Sequence, residues 1–211
     1  MTRLLVLGGT GAVGQAVIRR ALADSRFSAV SAPTRRPLPA AAKLANPQLE
    51  LTGASGTEAF WPADAVISAI GTTQKQAGSR AAFFRIDHDL VLETARLALA
   101  AAAGALGFVS SVGASAASPS FYLRTKGAVE AGLRGLHYPS LTIVRPSMID
   151  AGRRERARPG EELGASLFRL LRPIVPRRYR AVTPDAIAAT LIEAVLRASP
   201  GVQVIESEDI G

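Results

Sequence analysis

Tyr122 and Lys126 stand four residues apart in Phe121-Tyr122-Leu123-Arg124-Thr125-Lys126-Gly127, a spacing that puts both on one face of a helix. A phenol alone titrates near about 10 and is a poor proton donor or acceptor at neutral pH. An ammonium about 4 Å away, at an effective dielectric of about 20, favours the phenolate by up to about 4 kcal/mol. At about 1.4 kcal/mol per pH unit, that carries a phenol toward about 7, where general acid–base catalysis works best. Just upstream, Val109-Ser110-Ser111-Val112-Gly113 ends an apolar run, and a serine hydroxyl at a strand end can hold a carbonyl oxygen. The chemistry these residues suit is proton transfer at the oxygen of a carbonyl or alcohol.

A second group of residues with chemistry of its own stands at the other end of the chain. Leu4-Leu5-Val6-Leu7 runs directly into Gly8-Gly9-Thr10-Gly11-Ala12-Val13-Gly14 and then into a helical pattern. Glycines at 8, 11 and 14 between a first strand and a first helix suit a dinucleotide: Gly8 for the sharp turn, Gly11 for close approach of a pyrophosphate, Gly14 for packing helix on strand. The helix N-terminus adds unpaired N–H donors and partial positive charge. The second strand ends in Thr34-Arg35-Arg36-Pro37, where a site for NAD would normally place an acid for the ribose hydroxyls. Guanidinium matches a phosphate dianion, so NADP is expected over NAD, with Arg35 the first choice and Arg36 the second. The fourth strand runs through Ala69 into Ile70-Gly71-Thr72-Thr73, and Gly71 would let the chain pass beneath the cofactor.

These groups need a scaffold. Strands are expected at Arg3–Leu7, Ala29–Thr34, Gln48–Thr52, Ala65–Ala69, Leu106–Ser110, Leu141–Arg145 and Val202–Ile205. Helices are expected at Val13–Ala23, Ala81–Ala103, Phe121–Leu133, Leu163–Leu171 and Pro184–Ala198. Unbroken apolar strands alternating with helices specify right-handed βαβ crossovers. The fold expected is a Rossmann-type α/β doubly wound parallel sheet of about seven strands, forming one domain over 1–211. The irregular stretch 146–183 is the place for a small C-terminal substrate lobe or lid.

Composition narrows the alternatives. The 211 residues are 48% hydrophobic and 20% charged, a globular balance. Without cysteine there is no disulfide or thiol catalysis, and with two histidines no metal site is expected. His88 and His137 lack partners at ligand spacing, and Trp61-Pro62 reads as a packing and turn element. The longest apolar stretch, Leu97 to Val109, is short of a membrane span and glycine interrupts it. The apolar run Leu4 to Leu7 meets glycine too soon for a secretory h-region to be expected, and a cytoplasmic location is expected. The net charge of +8 raises a nucleic-acid reading. Arginine supplies 22 of the 25 cations, nine of them between Arg153 and Arg180, but aromatics are only 5%. A surface that tracks a nucleic-acid backbone interleaves aromatics with its cations, so a small-molecule substrate is expected and nucleic acid is not.

Taken together, Gly8 to Gly14, Arg35-Arg36, Ser110-Ser111-x-Gly113-Ala114, Tyr122-x-x-x-Lys126-Gly127 and Val144-Arg145-Pro146-Ser147 leading to Arg158-Pro159-Gly160-Glu161 resemble the short-chain dehydrogenase/reductase superfamily. The closer resemblance is to its atypical group containing the Tat-interacting-protein-like oxidoreductases. The resemblance implies an NADP(H)-dependent oxidoreductase in which Tyr122 is the general acid/base. Lys126 would both acidify it and bind the nicotinamide ribose. It further implies Ser111, or failing it Ser110, as the carbonyl-orienting hydroxyl, with Pro146 and Ser147 near the nicotinamide. Asp87 departs from the pattern, standing where relatives often carry an asparagine that supports a proton relay. The alternative to an enzyme is an NADPH-binding sensor or scaffold that regulates a partner; an intact Tyr/Lys pair favours the enzyme.

Overall fold

The computed structural model describes residues 1–150 and 176–211. Strand β1 (Thr2–Leu7) is buried from Leu4 onward, as an apolar run must be when both faces of its sheet are covered. It is followed by α1 (Ala12–Ala23), β2 (Phe27–Ser31), β3 (Leu44–Ala45) and β4 (Ala65–Ser68). Then come the short helices α2 (Gln74–Ala77) and α3 (Arg80–Phe84), a π-helical turn (Arg85–Asp89) and α4 (Leu90–Ala100). The chain continues through β5 (Ala105–Val109), α5 (Phe121–Arg134) and β6 (Ser140–Arg145) to α6 (Pro184–Arg197) and β7 (Gly201–Glu206). Every strand pair is parallel, in the order β3-β2-β1-β4-β5-β6-β7. The order reverses between β1 and β4, which opens a crevice beyond their carboxyl ends. This is the expected seven-stranded Rossmann-type sheet.

Two apolar layers hold it. On one face α1 and α6 bury Val17, Ile18, Ile187 and Leu191 against Val6 and Ile67. On the other, α4 and α5 bury Val91, Ala95, Val129 and Leu133 against Leu5, Leu7, Leu106 and Phe108. At about 1.5–3 kcal/mol for each large apolar side chain removed from water, these layers make the site's platform rigid. The turns that return the chain from α4, α5 and α6 to β5, β6 and β7 each hold a non-glycine residue at positive φ: Ala102 (70°), His137 (57°) and Ala198 (46°).

Three expectations are revised. The strand expected at Gln48–Thr52 is instead the two-residue β3, with Gln48 joined to Thr34 only by an isolated bridge. Pro47 has no N–H to continue a ladder, and the side chain of Asn46 supplies the bonds instead. The helix expected over Ala81–Ala103 is interrupted by the π turn, whose extra residue displaces Asp87 into the interior. That helix also stops at Ala100, because Ala102 turns the chain toward β5. The helix expected at Leu163–Leu171, the motif Arg158–Glu161 and most of the basic segment 153–180 and of the substrate lobe lie outside the described residues. The two flanks of that stretch are joined to each other: Val182 N–H donates to Met148 O at 2.8 Å and Asp150 N–H to Val182 O at 2.9 Å.

Candidate functional site

The glycine loop is built so that neighbouring backbone can close on it. Gly8 has φ +84°, and a Cβ there would lie 2.5 Å from the carbonyl oxygen of Ala69, at the end of β4. A Cβ on Gly14 would lie 2.2 Å from the oxygen of Gly8. These two glycines therefore bring the β1 turn, the β4 exit and α1 together at the point where strand order reverses. Gly11 differs: its φ is −77° and its missing Cβ would meet only Gly8 O, at 3.4 Å. It caps α1 with no side-chain hydrogen bond, and Thr10, Gly11 and Ala12 are exposed while Val13 is buried. The first-turn N–H groups thus lack a side-chain cap and suit an anion. A loop lacking Cβ atoms at its tight points and an uncapped helix end fit a dinucleotide pyrophosphate.

The arginine pair stands beside this loop. A Cβ on Gly9 would touch the Thr34 methyl at 3.4 Å and Ala32 Cβ at 3.5 Å, so the segment entering Arg35 packs behind the glycines. Asn46 braces it: its Nδ2 donates to Thr34 Oγ1 at 2.8 Å and to Ala32 O at 2.5 Å, and Leu38 N–H donates to its Oδ1 at 2.8 Å. Arg35 is 78% exposed in its side chain and makes only a loose pair with Glu50 at 3.6 Å. Arg36 is exposed as well. Both guanidinium groups are available to a phosphate.

Tyr122 and Lys126 are on α5, which starts at Ser120; the Ser120 hydroxyl accepts from Leu123 N–H. Gly127 lets α5 lie against the preceding loop, since a Cβ there would lie 2.2 Å from the carbonyl carbon of Ser115. Tyr122 is 37% exposed, with its ring 6.1 Å from that of buried Phe83. Lys126 is buried, its Nζ 5.4 Å from the centre of the Phe108 ring and 3.1 Å from Asp87 Oδ1. Asp87 Oδ2 accepts from Thr72 N–H at 2.8 Å. Burial pushes the Asp87 carboxyl above the usual carboxylate range, with the Lys126 charge and the Thr72 bond pulling the other way. The lone ammonium that spacing alone suggests therefore has a buried counter-ion. A buried lysine needs an acid, and that was the available clue to Asp87.

The two serines have different surroundings. Ser110 Oγ donates to Glu130 Oε1 at 2.5 Å inside a charged cluster. There Arg145 donates to both Glu130 oxygens, at 2.9 and 2.6 Å, and to Glu206 at 2.8 Å. Burial raises the Glu130 carboxyl, but bonds from Arg145 and Ser110 outweigh it and leave the group below its ordinary range. Ser111 Oγ has only a long bond to Val112 O at 3.4 Å. Pro146 O accepts from Val112 N–H at 2.9 Å, which puts the β6 exit beside the serine pair. Ser147 is engaged with Ser207 and Arg180, its N–H donating to Ser207 Oγ at 3.1 Å and its hydroxyl to Arg180 O.

Ala69, Ile70 and Gly71 form the wall between the two halves. Ala69 N–H donates to Leu7 O at 2.8 Å, Ile70 is buried, and a Cβ on exposed Gly71 would lie 3.5 Å from Asp87 Oδ1 and 3.9 Å from Lys126 Nζ. A groove of about 440 Å³ at the C-terminal end of α1, lined by Arg20, Asp24 and Glu193, carries none of these groups. Among the described residues no cluster of metal-ligating side chains occurs, and no helix is long and apolar enough to cross a membrane.

A family model described as NAD(P)H-binding matches residues 8–196. The mitochondrial protein fmp52 of Emericella nidulans is 36% identical over 171 residues, covering 76% of this chain and 72% of the relative. Protein HTATIP2 of Rattus norvegicus is 30% identical over 212 residues, covering 98% and 87%. Among solved structures, MoeE5 in complex with UDP-glucose and NAD superposes with a TM-score of 0.71 at 16% identity, covering 96% of this chain and 74% of that one. An oxidoreductase of the short-chain dehydrogenase/reductase family from Burkholderia thailandensis gives 0.68 at 19% identity, covering 97% and 91%. The expectation of a cytoplasmic location is overturned, because several fmp52 relatives are named as mitochondrial.

Proposed function

Because this chain belongs to the NAD(P)H-binding family, in the atypical short-chain dehydrogenase/reductase group, we propose that it is an NADP(H)-dependent oxidoreductase of a small carbonyl or alcohol. The observation that supports this reading is that the β4 exit meets the Gly8 turn at Ala69 and the buried Asp87 and Lys126 at Gly71, while the segment leading to the exposed arginine pair packs behind Gly9. The loop from Gly8 to Gly14 would hold the pyrophosphate, Arg35 or Arg36 a 2′-phosphate, and Lys126 the nicotinamide ribose, with Ala69, Ile70, Gly71, Pro146 and Ser147 around the ring. When bound, the nicotinamide supplies the hydride that reaches the carbonyl carbon.

The chain's own groups do the rest. Ser111 Oγ donates to the carbonyl oxygen, since Ser110 is committed to Glu130. Tyr122 Oη delivers the proton to that oxygen as the alcohol forms, and its exposure lets solvent restore the proton. Lys126 stabilises the phenolate left behind. Replacing Tyr122→Phe tests the reading: NADPH oxidation across a carbonyl panel should fall at least about a hundredfold, with NADPH affinity within a few-fold of wild type. Unchanged turnover rejects Tyr122 as the proton donor. Tight NADPH binding with no turnover on a wide panel would favour the sensor reading.

A further inference from the structure

The Asp87–Lys126 pair is the one ion pair among the described residues in which both side chains are nearly inaccessible, 1% and 5% exposed. Burying such a pair is a poor way to gain stability, because desolvation offsets most of the attraction. Its geometry suggests another purpose. Asp87 is drawn inward by the π turn, an insertion common at functional sites. Its two oxygens are divided between two partners: Oδ1 to the Lys126 ammonium and Oδ2 to the backbone N–H of Thr72. Thr72 follows Gly71, which is exposed and whose missing Cβ would lie 3.5 Å from Asp87 Oδ1 and 3.9 Å from Lys126 Nζ. A lysine is a flexible four-carbon stem, and α5 fixes only its base. Among the ion pairs of the described residues Asp87 is the acid that meets this ammonium, and the Phe108 ring centre lies 5.4 Å from Nζ.

We propose that Asp87 is a positioning residue for the nicotinamide half of the cofactor, clamping the Lys126 ammonium and the Gly71-Thr72 loop into one unit. This rests on the cofactor reading above. One face of that unit is the loop that would pass beneath the nicotinamide ribose, and the other is the ammonium that would donate to its hydroxyls. Asp87 touches no cofactor atom and acts through its two partners. Its loss should therefore be felt by ligands that carry the nicotinamide riboside, and not by those that end at the adenosine phosphates.

The test compares NADPH with 2′,5′-ADP by calorimetry, or NADH with ADP should the wild type take the unphosphorylated cofactor. In Asp87→Asn, which keeps an acceptor for Thr72 and removes the charge, affinity for the dinucleotide should fall about tenfold. Affinity for the adenosine fragment should stay within twofold. In a Lys126→Met background the same Asp87→Asn change should shift dinucleotide affinity less than twofold, because the partner it acts through is gone. Equal losses for both ligands, or the same tenfold loss in both backgrounds, would mean a general structural role and overturn the proposal. Should Asp87→Asn alone fail to fold, Lys126→Met and the double variant carry the comparison: equal dinucleotide affinity supports the clamp, and a further tenfold loss overturns it. A wild type that binds none of the four ligands defeats the cofactor reading and this inference together, whereas binding without the predicted split defeats this inference alone.

Discussion

Ser110 donates its hydroxyl hydrogen to Glu130 across 2.5 Å, inside a cluster where the same carboxylate also receives Arg145. That bond separates two adjacent serines into two tasks. Ser110→Ala removes a donor from a buried carboxylate and should destabilise the fold by about 1–3 kcal/mol, with turnover within a few-fold. Ser111→Ala should leave the melting temperature in place and lower kcat about a hundredfold, the usual effect of deleting an oxygen-orienting donor. Thermal melts and initial rates on both variants check this, and the reverse pattern would exchange the assignments.

Gly11 and Gly14 should respond differently to the same methyl group. Alanine at 14 meets the backbone oxygen of Gly8 at 2.2 Å, which forces α1 away from β1 and should cost several kcal/mol of stability. Alanine at 11 meets nothing closer than 3.4 Å and its φ of −77° suits any residue, so the fold should survive. The added carbon would still obstruct a pyrophosphate, and NADPH affinity should drop at least about tenfold. Circular dichroism paired with calorimetry separates the outcomes.

Arg35 holds Glu50 only at 3.6 Å and is 78% exposed, so its removal should hardly alter stability. Arg35→Ala should weaken NADPH about tenfold or more while changing NADH less than twofold, because only one of the two carries a 2′-phosphate. The same selectivity appearing in Arg36→Ala instead would move the assignment one residue along. Equal effects on both cofactors in both variants would remove the arginines from the site.

Acid should be felt late around Trp61. The Ser55 N–H bond holds the Glu58 carboxyl down at about 2, helped by the Trp61 indole, which donates to Glu58 at 2.7 Å. A carboxyl whose folded value lies below its unfolded one stabilises above the unfolded value and loses that contribution as pH falls through the folded one. The window runs from about pH 4.5 to about pH 2. Trp61 is the chain's single tryptophan, so its fluorescence in the folded protein should shift at the acid end of that window, where Glu58 takes up its proton. Glu58→Gln should lack this component of the titration; an unchanged acid profile in that variant would sever the link.

What could be read from the chain directly is what depends on neighbours in sequence. The β1 run, the glycines after it and the α1 pattern are all local, and the structure places them as their spacing implies. The strand expected near Gln48 does not form because Pro47, just before it, has no N–H to give a ladder. The π turn was invisible because one inserted residue leaves the apolar pattern of 81–100 almost unchanged. The Asp87–Lys126 and Ser110–Glu130 pairings join residues 39 and 20 apart across packed elements. Only the assembled sheet could reveal them, and they decide which serine is free and whether the lysine stands alone.

The left-handed residues Ala102, His137 and Ala198 all lie where helices hand the chain back to strands, at the rim opposite the crevice. An L-residue in that conformation is strained by about 1–2 kcal/mol, and glycine would relieve it, less about 0.5–1 kcal/mol of extra unfolded-state freedom. Three glycine replacements together should therefore harden the protein against heat by a kilocalorie or two, read as a higher melting temperature. Catalysis would be untouched, so this rim is where an engineer could toughen the molecule without negotiating with its chemistry.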